Sequence, residues 1–482
     1  MAGPRYPDGV SRYAADPHDL ETYARAESAL SEMRVPVLHD HEDPASRLFI
    51  AYFDGTGNDA GRPDKGLTNV AQLHAATVEA AAMDSTLGTA YLRGPATQEN
   101  AVVSLADGAR GFSYDARLET LYHDFCVQAS AWLRENPDAR ISLASVGFSR
   151  GAEQAAGFTR LVAERGIQDP QNAEIRRNSE GLIVSARYPS PPQRAAADIA
   201  QAELLFDPVG TGKPHERDRR PPPQVLTGLQ VTAEDERRDA FKGSWIMDRG
   251  FSHDGRFLNV MVGGCHVDIG GGYGEDGLAR RNYNLGVDFL NALSDRPFLA
   301  KQHLRPDLDL VHRSVEHLPI YDDDVYRRSE RKVLPEESRR GMIDAIGGNR
   351  RDRSPAARDA EPVDSSLDAR YPRRPVDIMP VPETPAEFRD RQPANERDDL
   401  QPSAPRRPLL QQVIGIVAQA ESNGDRTLRD DALDAYLASP SGQAFAARVD
   451  AAYEAARTLQ QPPAVIAQQE QQYGARVRAM AV

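Results

Sequence analysis

Ile141-Ser142-Leu143-Ala144-Ser145-Val146-Gly147-Phe148-Ser149-Arg150-Gly151-Ala152-Glu153-Gln154-Ala155-Ala156-Gly157-Phe158 is the stretch that decides the fold. Its first six residues form a short apolar run suited to a buried strand, and the residues after Ser149 open a helix. Between them Gly147-Phe148-Ser149-Arg150-Gly151 is a G-x-S-x-G turn. A strand-to-helix turn this sharp forces its central residue into a strained backbone, and glycines on either side relieve the crowding. The turn lifts Oγ of Ser149 above the sheet edge. It also aims the Arg150 amide and the helix N-terminus at any negative charge that develops there. The bare motif also occurs as a Gly-flanked surface turn; the strand before it and the helix after it favour the nucleophile reading.

Working outward, the chain alternates strand-like and helix-like segments. Leu48–Phe53 reads as a buried strand ending at Asp54-Gly55-Thr56-Gly57-Asn58-Asp59. Thr68–Met83 reads as a helix with Thr68 or Asn69 as its cap, Tyr91-Leu92 as a short strand, and Ala116–Asn136 as a long amphipathic helix stopped by Pro137. Ala202–Phe206 and Phe257–Val262 are two further strands, ending at Asp207-Pro208-Val209-Gly210 and Gly263-Gly264-Cys265-His266. Arg281–Ser294 reads as another helix. Alternation of this kind predicts an α/β fold of the α/β-hydrolase type, a mostly parallel sheet covered by helices on both faces. Residues 1–46 read as an irregular N-terminal segment with a helix-like stretch from Asp19 to Met33, and 47–320 as the α/β domain. In 321–408 apolar periodicity gives way to Arg, Asp, Pro and Glu, which reads as an extension and disordered linker. Residues 409–482 regain helical periodicity and read as a small helical C-terminal module.

Composition narrows the function classes. A chain of 482 residues with a net charge of −14 carries no basic footprint for nucleic acid. Cys126 and Cys265 are too few for a disulfide framework and sit in apolar or glycine-rich contexts, so buried reduced thiols are expected. No apolar run approaches the roughly 18 residues that span a bilayer. Met1–Pro7 has no apolar signal core, so the expectation is synthesis in the cytoplasm without a signal peptide.

Four strand ends carry polar groups: Asp54–Asn58, Ser149, Asp207 and His266. In an open α/β sheet the active site forms at the carboxyl ends of the strands. The order Ser149, Asp207, His266 is that of an α/β-hydrolase triad. Serine is a poor nucleophile near neutrality and needs a base; His266 would take its proton and Asp207 would orient and stabilise the imidazolium. Oxyanion donors would come from the amides of Arg150 and of Gly55 or Thr56 in the Asp54–Gly57 loop. Each assignment has an ordinary alternative: Asp207 before Pro208 as a turn cap, His266 as a core histidine, the Asp54 loop as an Asx turn. His253 is the nearest rival base. Asp54 and Asp268 read as loop-shaping residues; together they could hold a divalent cation, but two carboxylates are too few to establish one, and the reading requires no cofactor. A nucleotide site at Asp54–Asn58 would lack the Gly-Lys-Ser/Thr that holds a triphosphate.

The motifs Phe53-Asp54-Gly55-Thr56-Gly57-Asn58-Asp59, Thr68-Asn69-Val70, Gly147–Ala152, Phe206–Gly210 and Gly264–Tyr273, in this order, resemble the type VI secretion lipase effector family 1, a phospholipase family with an α/β-hydrolase domain shared with fungi. The resemblance covers about residues 47–320, and Asp235-Glu236-Arg237-Arg238-Asp239-Ala240-Phe241 is similar to another stretch of the family. Leu229–Thr232 stand where the family carries a histidine shortly before that stretch, and Pro208 replaces the threonine of its Asp-Thr-Val. The resemblance implies an A1- or A2-type phospholipase acting on membrane glycerophospholipids, with Ser149 as nucleophile, Asp207 as acid and His266 as base. It also implies delivery into the periplasm or membrane of a rival cell, an immunity protein that protects the producer, and a secretion adaptor or spike component as partner. The alternatives are a carboxylesterase acting on small soluble esters and a non-catalytic interaction protein on a hydrolase scaffold.

Overall fold

The computed structural model describes residues 7–56, 58, 60, 66–94, 113–178, 180–209, 219–238, 241, 243–317 and 361–382. The expected C-terminal module, 409–482, lies outside the described residues. The centre is a seven-stranded sheet. Its strands are β3 (Ser46–Phe53), β4 (Leu87–Leu92), β5 (Arg140–Phe148), β8 (Gln201–Phe206), β9 (Val225–Ala233), β10 (Gly250–Phe251) and β11 (Phe257–Val262), in the spatial order β10-β11-β9-β8-β5-β3-β4. Every pairing is parallel except that of the edge strand β10 with β11. This is the α/β-hydrolase-like sheet the alternation predicts.

The strands are buried on both faces, and their side chains divide by the period of two that a pleat imposes. Along β3, Leu48, Ile50 and Tyr52 enter one apolar cluster and Phe49, Ala51 and Phe53 the other. The first cluster is covered by α1 (Pro17–Glu32), α2 (Asn69–Met83) and α6 (Gly277–Ala292), through Tyr23, Leu73 and Leu285. The second is covered by α3 (Tyr114–Glu135) and α4 (Arg150–Arg165), through Phe125 and Phe158. Local chemistry sets the helix ends. Asp16 caps α1 in a reciprocal box with Asp19, with Pro17 in the first turn. Thr68 caps α2 by accepting the Ala71 amide. From β3 the chain runs outward to β4, then returns to place β5 on the other side of β3. The direction of winding therefore reverses between β3 and β5, where open α/β sheets bind their ligands.

Two regions depart from the compositional reading. Strand β9 is fully buried at the middle of the sheet although Gly228, Gln230 and Thr232 interrupt its apolar pattern. Gln230 is satisfied by the Ser244 carbonyl and the Met247 amide, so its polarity costs the strand nothing. Within the stretch read as linker, 361–382 carries a helical turn, α7 (Ser365–Asp368), and a strand, β13 (Arg373–Pro375), paired antiparallel with β2 (Arg34–Pro36). Arg373 ties this stretch to Asp368 and to the Leu226 carbonyl, while Leu367 and Val376 bury in the core. Among the described residues no helix is long and apolar enough to cross a membrane. We expect Leu367→Ala to lower stability by about 2–5 kcal/mol in urea unfolding. A loss below about 1 kcal/mol would mean that 361–382 is no part of the core.

Candidate active site

Ser149 sits between the last residue of β5 and the first of α4, with φ 58° and ψ −126°. For a residue with a side chain this is a strained backbone, held because its surroundings leave no alternative. Its amide donates to the Phe206 carbonyl at 3.0 Å, and its carbonyl accepts from Ala152 and from Val209, each at 3.1 Å. The flanking glycines are required by contact. A Cβ on Gly151 would lie 2.2 Å from the Phe53 carbonyl oxygen, and one on Gly147 would lie 2.5 Å from Cα of Ala152.

Asp207 follows β8 directly, with a left-handed φ of 38°. One carboxylate oxygen accepts the Ala233 amide at 3.0 Å; the other meets His266 Nδ1 at 2.6 Å. Both side chains are almost wholly buried. A carboxylate at Nδ1 makes that nitrogen the donor and leaves the Nε2 lone pair to accept a proton. The imidazole lies between the rings of Phe148 and Phe241, at centroid distances of 4.6 and 5.1 Å. Among the described residues no hydrogen bond joins the Ser149 hydroxyl to His266. His253 is exposed in the turn before β11, at the opposite end of the strand from His266.

The loop after β3 is anchored by Asp54, whose buried carboxylate accepts from the Thr68 hydroxyl at 2.8 Å, the Tyr91 hydroxyl at 2.6 Å and the Gly55 amide at 2.7 Å. Burial pushes this carboxyl up to about 6 against the pull of those hydrogen bonds. Gly55, one of the expected oxyanion donors, thus has its amide engaged by the neighbouring side chain. The Thr56 hydroxyl instead accepts from the Arg150 guanidinium at 2.8 Å, which joins the loop to the elbow. The Arg150 amide is in the first turn of α4, where helix geometry provides no intrahelical acceptor. Gly57 lies outside the described residues.

The sequence reading did not assign a role to Glu236 or Arg238. Arg238 grips the Glu236 carboxylate with two hydrogen bonds of 2.9 Å, and Glu236 also accepts from the His266 amide at 3.2 Å and the Ser314 hydroxyl at 3.1 Å. Burial works to raise the Glu236 pKa, but the charge and hydrogen bonds of Arg238 outweigh it and hold it down at about 2. Arg238 also lies over the Phe241 ring at 3.4 Å, so one ion pair braces both the backbone and a ring wall of His266.

Asp268 accepts the Cys265 amide at 2.9 Å and the His312 amide at 3.0 Å, and pairs with His312 Nδ1 at 2.6 Å. Asp54 and Asp268 take separate sets of protein donors. Cys126 and Cys265 are free and buried, and burial raises both thiols, Cys126 to about 12.

Residues 47–181 match the family described as T6SS, phospholipase effector Tle1-like, catalytic domain. No curated protein matches the sequence. Among solved structures, an uncharacterized protein from Pseudomonas aeruginosa is similar at 14% identity over 90% of this chain and 67% of its own, with a TM-score of 0.35. The Tle1 effector bound to the VgrG spike of the type 6 secretion system aligns at 20% identity over 47% of this chain, with a TM-score of 0.29, and the alignment spans 51% of that effector's length. A dienelactone hydrolase from Anabaena variabilis aligns at 14% identity over 51% of this chain and 85% of its own, with a TM-score of 0.24. Over residues 47–181, therefore, the chain is similar to the Tle1-like phospholipase effector catalytic domain that its motifs resemble.

Proposed function

We propose that the protein is a serine phospholipase that hydrolyses acyl esters of membrane glycerophospholipids, with A1- or A2-type cleavage, as a type VI secretion effector. The observation that carries the reading is the buried His266–Asp207 pair at 2.6 Å beside the strained Ser149 turn. Together with the family match it supports acyl transfer over mere binding.

In this mechanism Ser149 Oγ attacks the ester carbonyl carbon while its proton passes to His266 Nε2. Asp207 holds the ring and stabilises the imidazolium. The carbonyl electron pair moves onto oxygen, where the amides of Thr56 and Arg150 and the N-terminus of α4 receive it. Collapse of the tetrahedral intermediate expels the lysophospholipid alkoxide, which takes the proton from His266. Water then attacks the acyl-serine with His266 as base, releasing fatty acid and restoring the hydroxyl. No cofactor enters the scheme. Membrane phospholipid is the substrate in this proposal. A spike component or adaptor and an immunity protein are the proposed partners, and the target-cell periplasm or membrane the proposed destination.

Fatty acid release from mixed phospholipid vesicles tests the reading. Ser149→Ala and His266→Ala should each lower kcat by about 10⁶-fold and Asp207→Asn by about 10⁴-fold, since Asn keeps part of the orientation. Equal release by wild type and Ser149→Ala would remove Ser149 from the chemistry. Release from small soluble esters alone would make the protein a carboxylesterase. Glu236→Ala should cost about 3–5 kcal/mol in urea unfolding by stranding Arg238, and Glu236→Ala with Arg238→Ala should cost less than Glu236→Ala alone. A double variant as unstable as the sum of the singles would show that the two residues do not act as a pair.

A further inference from the structure

A second chemistry-bearing cluster sits at the other end of the sheet, before the amino ends of β3 and β4. Three segments meet there. Residues 38–41 lead towards β3, Asp84 caps the carboxyl end of α2, and Ser294 and Asp295 follow α6. Backbone hydrogen bonds hold them in register: the amides of Leu38 and His39 donate to the Leu293 carbonyl at 2.8 and 3.0 Å, and the Asp295 amide to the His39 carbonyl at 2.9 Å. The rings of His39 and His41 stand 4.4 Å apart. Asp84 Oδ2 lies 3.1 Å from His41 Nε2 and 4.0 Å from His39 Nε2.

We propose that His39, His41 and Asp84 form a binding site for a transition-metal dication, zinc, that pins residues 38–41 to the turn between α2 and β4. Spacing is the first argument. Zinc bonds of 2.0–2.1 Å in a tetrahedron separate the ligand atoms by about 3.3 Å. The three ligand atoms here already lie within 4.8 Å of one another, so small side-chain rotations close the site. The second argument is alignment. Asp84 Oδ2 is buried and makes no hydrogen bond, although His41 Nε2 is only 3.1 Å away. The two atoms are close enough to share one ion while no hydrogen bond joins them.

The surroundings orient each ligand from behind. His41 Nδ1 meets Asp295 Oδ1 at 2.5 Å, the carboxylate–histidine arrangement that fixes a metal-binding tautomer. His39 Nδ1 meets the Ser294 hydroxyl at 3.3 Å. Asp84 Oδ1 is held by the amide and hydroxyl of Thr86 at 2.9 and 2.5 Å. That hydroxyl also meets His39 Nε2 at 2.8 Å; with its one hydrogen donated to Asp84 it accepts from Nε2, so metal binding requires the imidazole proton to move to Nδ1, where the Ser294 hydroxyl can accept it. Charge also balances, because two carboxylates, Asp84 and Asp295, face one dication through neutral imidazoles.

The test uses the purified full chain, treated with chelator and then titrated with Zn²⁺ and Co²⁺. Wild type should take up one equivalent of zinc, gain thermal stability on binding and show the visible bands of tetrahedral cobalt. His41→Ala and Asp84→Ala should lose all three effects, and Asp295→Asn should keep the stoichiometry with about 10–100-fold weaker affinity. Substoichiometric zinc without cobalt bands, or equal binding by wild type and His41→Ala, would reduce the cluster to a hydrogen-bonded latch. If the alanine variants fail to fold, the wild-type titration and Asp295→Asn decide the question.

Discussion

The catalytic end of this molecule depends on how closely one backbone can approach another. The turn after β5 passes over the end of β3 so tightly that Gly151 would place a Cβ 2.2 Å from the Phe53 carbonyl oxygen. Only with that approach can Ser149 hold φ 58° while its amide still reaches Phe206. The same approach brings α4 beside the loop carrying Thr56, so that the Arg150 guanidinium can hold the Thr56 hydroxyl. The strain at Ser149 is retained because five parallel pairings and an apolar layer on each side fix both strands independently of the turn.

Register carries the same precision across the sheet. Phe53 stands opposite Gly147, Phe148 opposite Phe206 and Phe206 opposite Val231. The strands therefore end within a residue of one another, and Asp54, Ser149 and Asp207 emerge at one level. His266 comes from a fourth strand end and needs more support: the Asp207 carboxylate at one ring nitrogen, two aromatic walls and the Glu236 carboxylate on its amide. One positioned side chain thus draws on groups contributed after β5, β8, β9 and β11.

Much of this was legible in the sequence because the signals were local. The strand ending at Phe53, the elbow strand and the helices at 69–83 and 114–135 each carry their own apolar periodicity or cap. Ser149, Asp207 and His266 were each readable as the first polar group beyond a strand, and the structure brings the last two together. What stayed hidden was long-range. Strand β9 has no apolar alternation of its own, since both its faces are buried and its polar residues are satisfied by segments far along the chain. Residues 361–382 look like linker because prolines and charged residues interrupt any apolar period, whereas a few apolar contacts decide where they lie. Glu236 and Arg238 stand two residues apart in a charge-rich motif; nothing in the spacing says that they support a histidine 28 residues or more away.

Around the site, buried carboxylates are compensated in different ways, and the physical consequences diverge. Glu236 faces a guanidinium, and although desolvation is the largest single influence, the charge and hydrogen bonds of Arg238 together outweigh it, so its pKa falls to about 2 from 4.5. Its contribution to stability is therefore present above pH about 4.5 and is lost as pH falls towards about 2. Asp54 faces two hydroxyls and an amide, with Arg117 acting only through its field, and desolvation wins: its pKa rises to about 6 from 3.8. A carboxyl raised in this way opposes folding once it must ionise, so the penalty is absent below pH about 4, grows towards pH about 6 and persists above it. Neutral hydroxyl and amide donors hold the Asp54 carboxylate itself, while the Arg150 guanidinium holds the loop further on, at the Thr56 hydroxyl. The cost of ionising Asp54 is thus tied to a carboxylate held by neutral donors, whereas Glu236 meets the Arg238 charge directly.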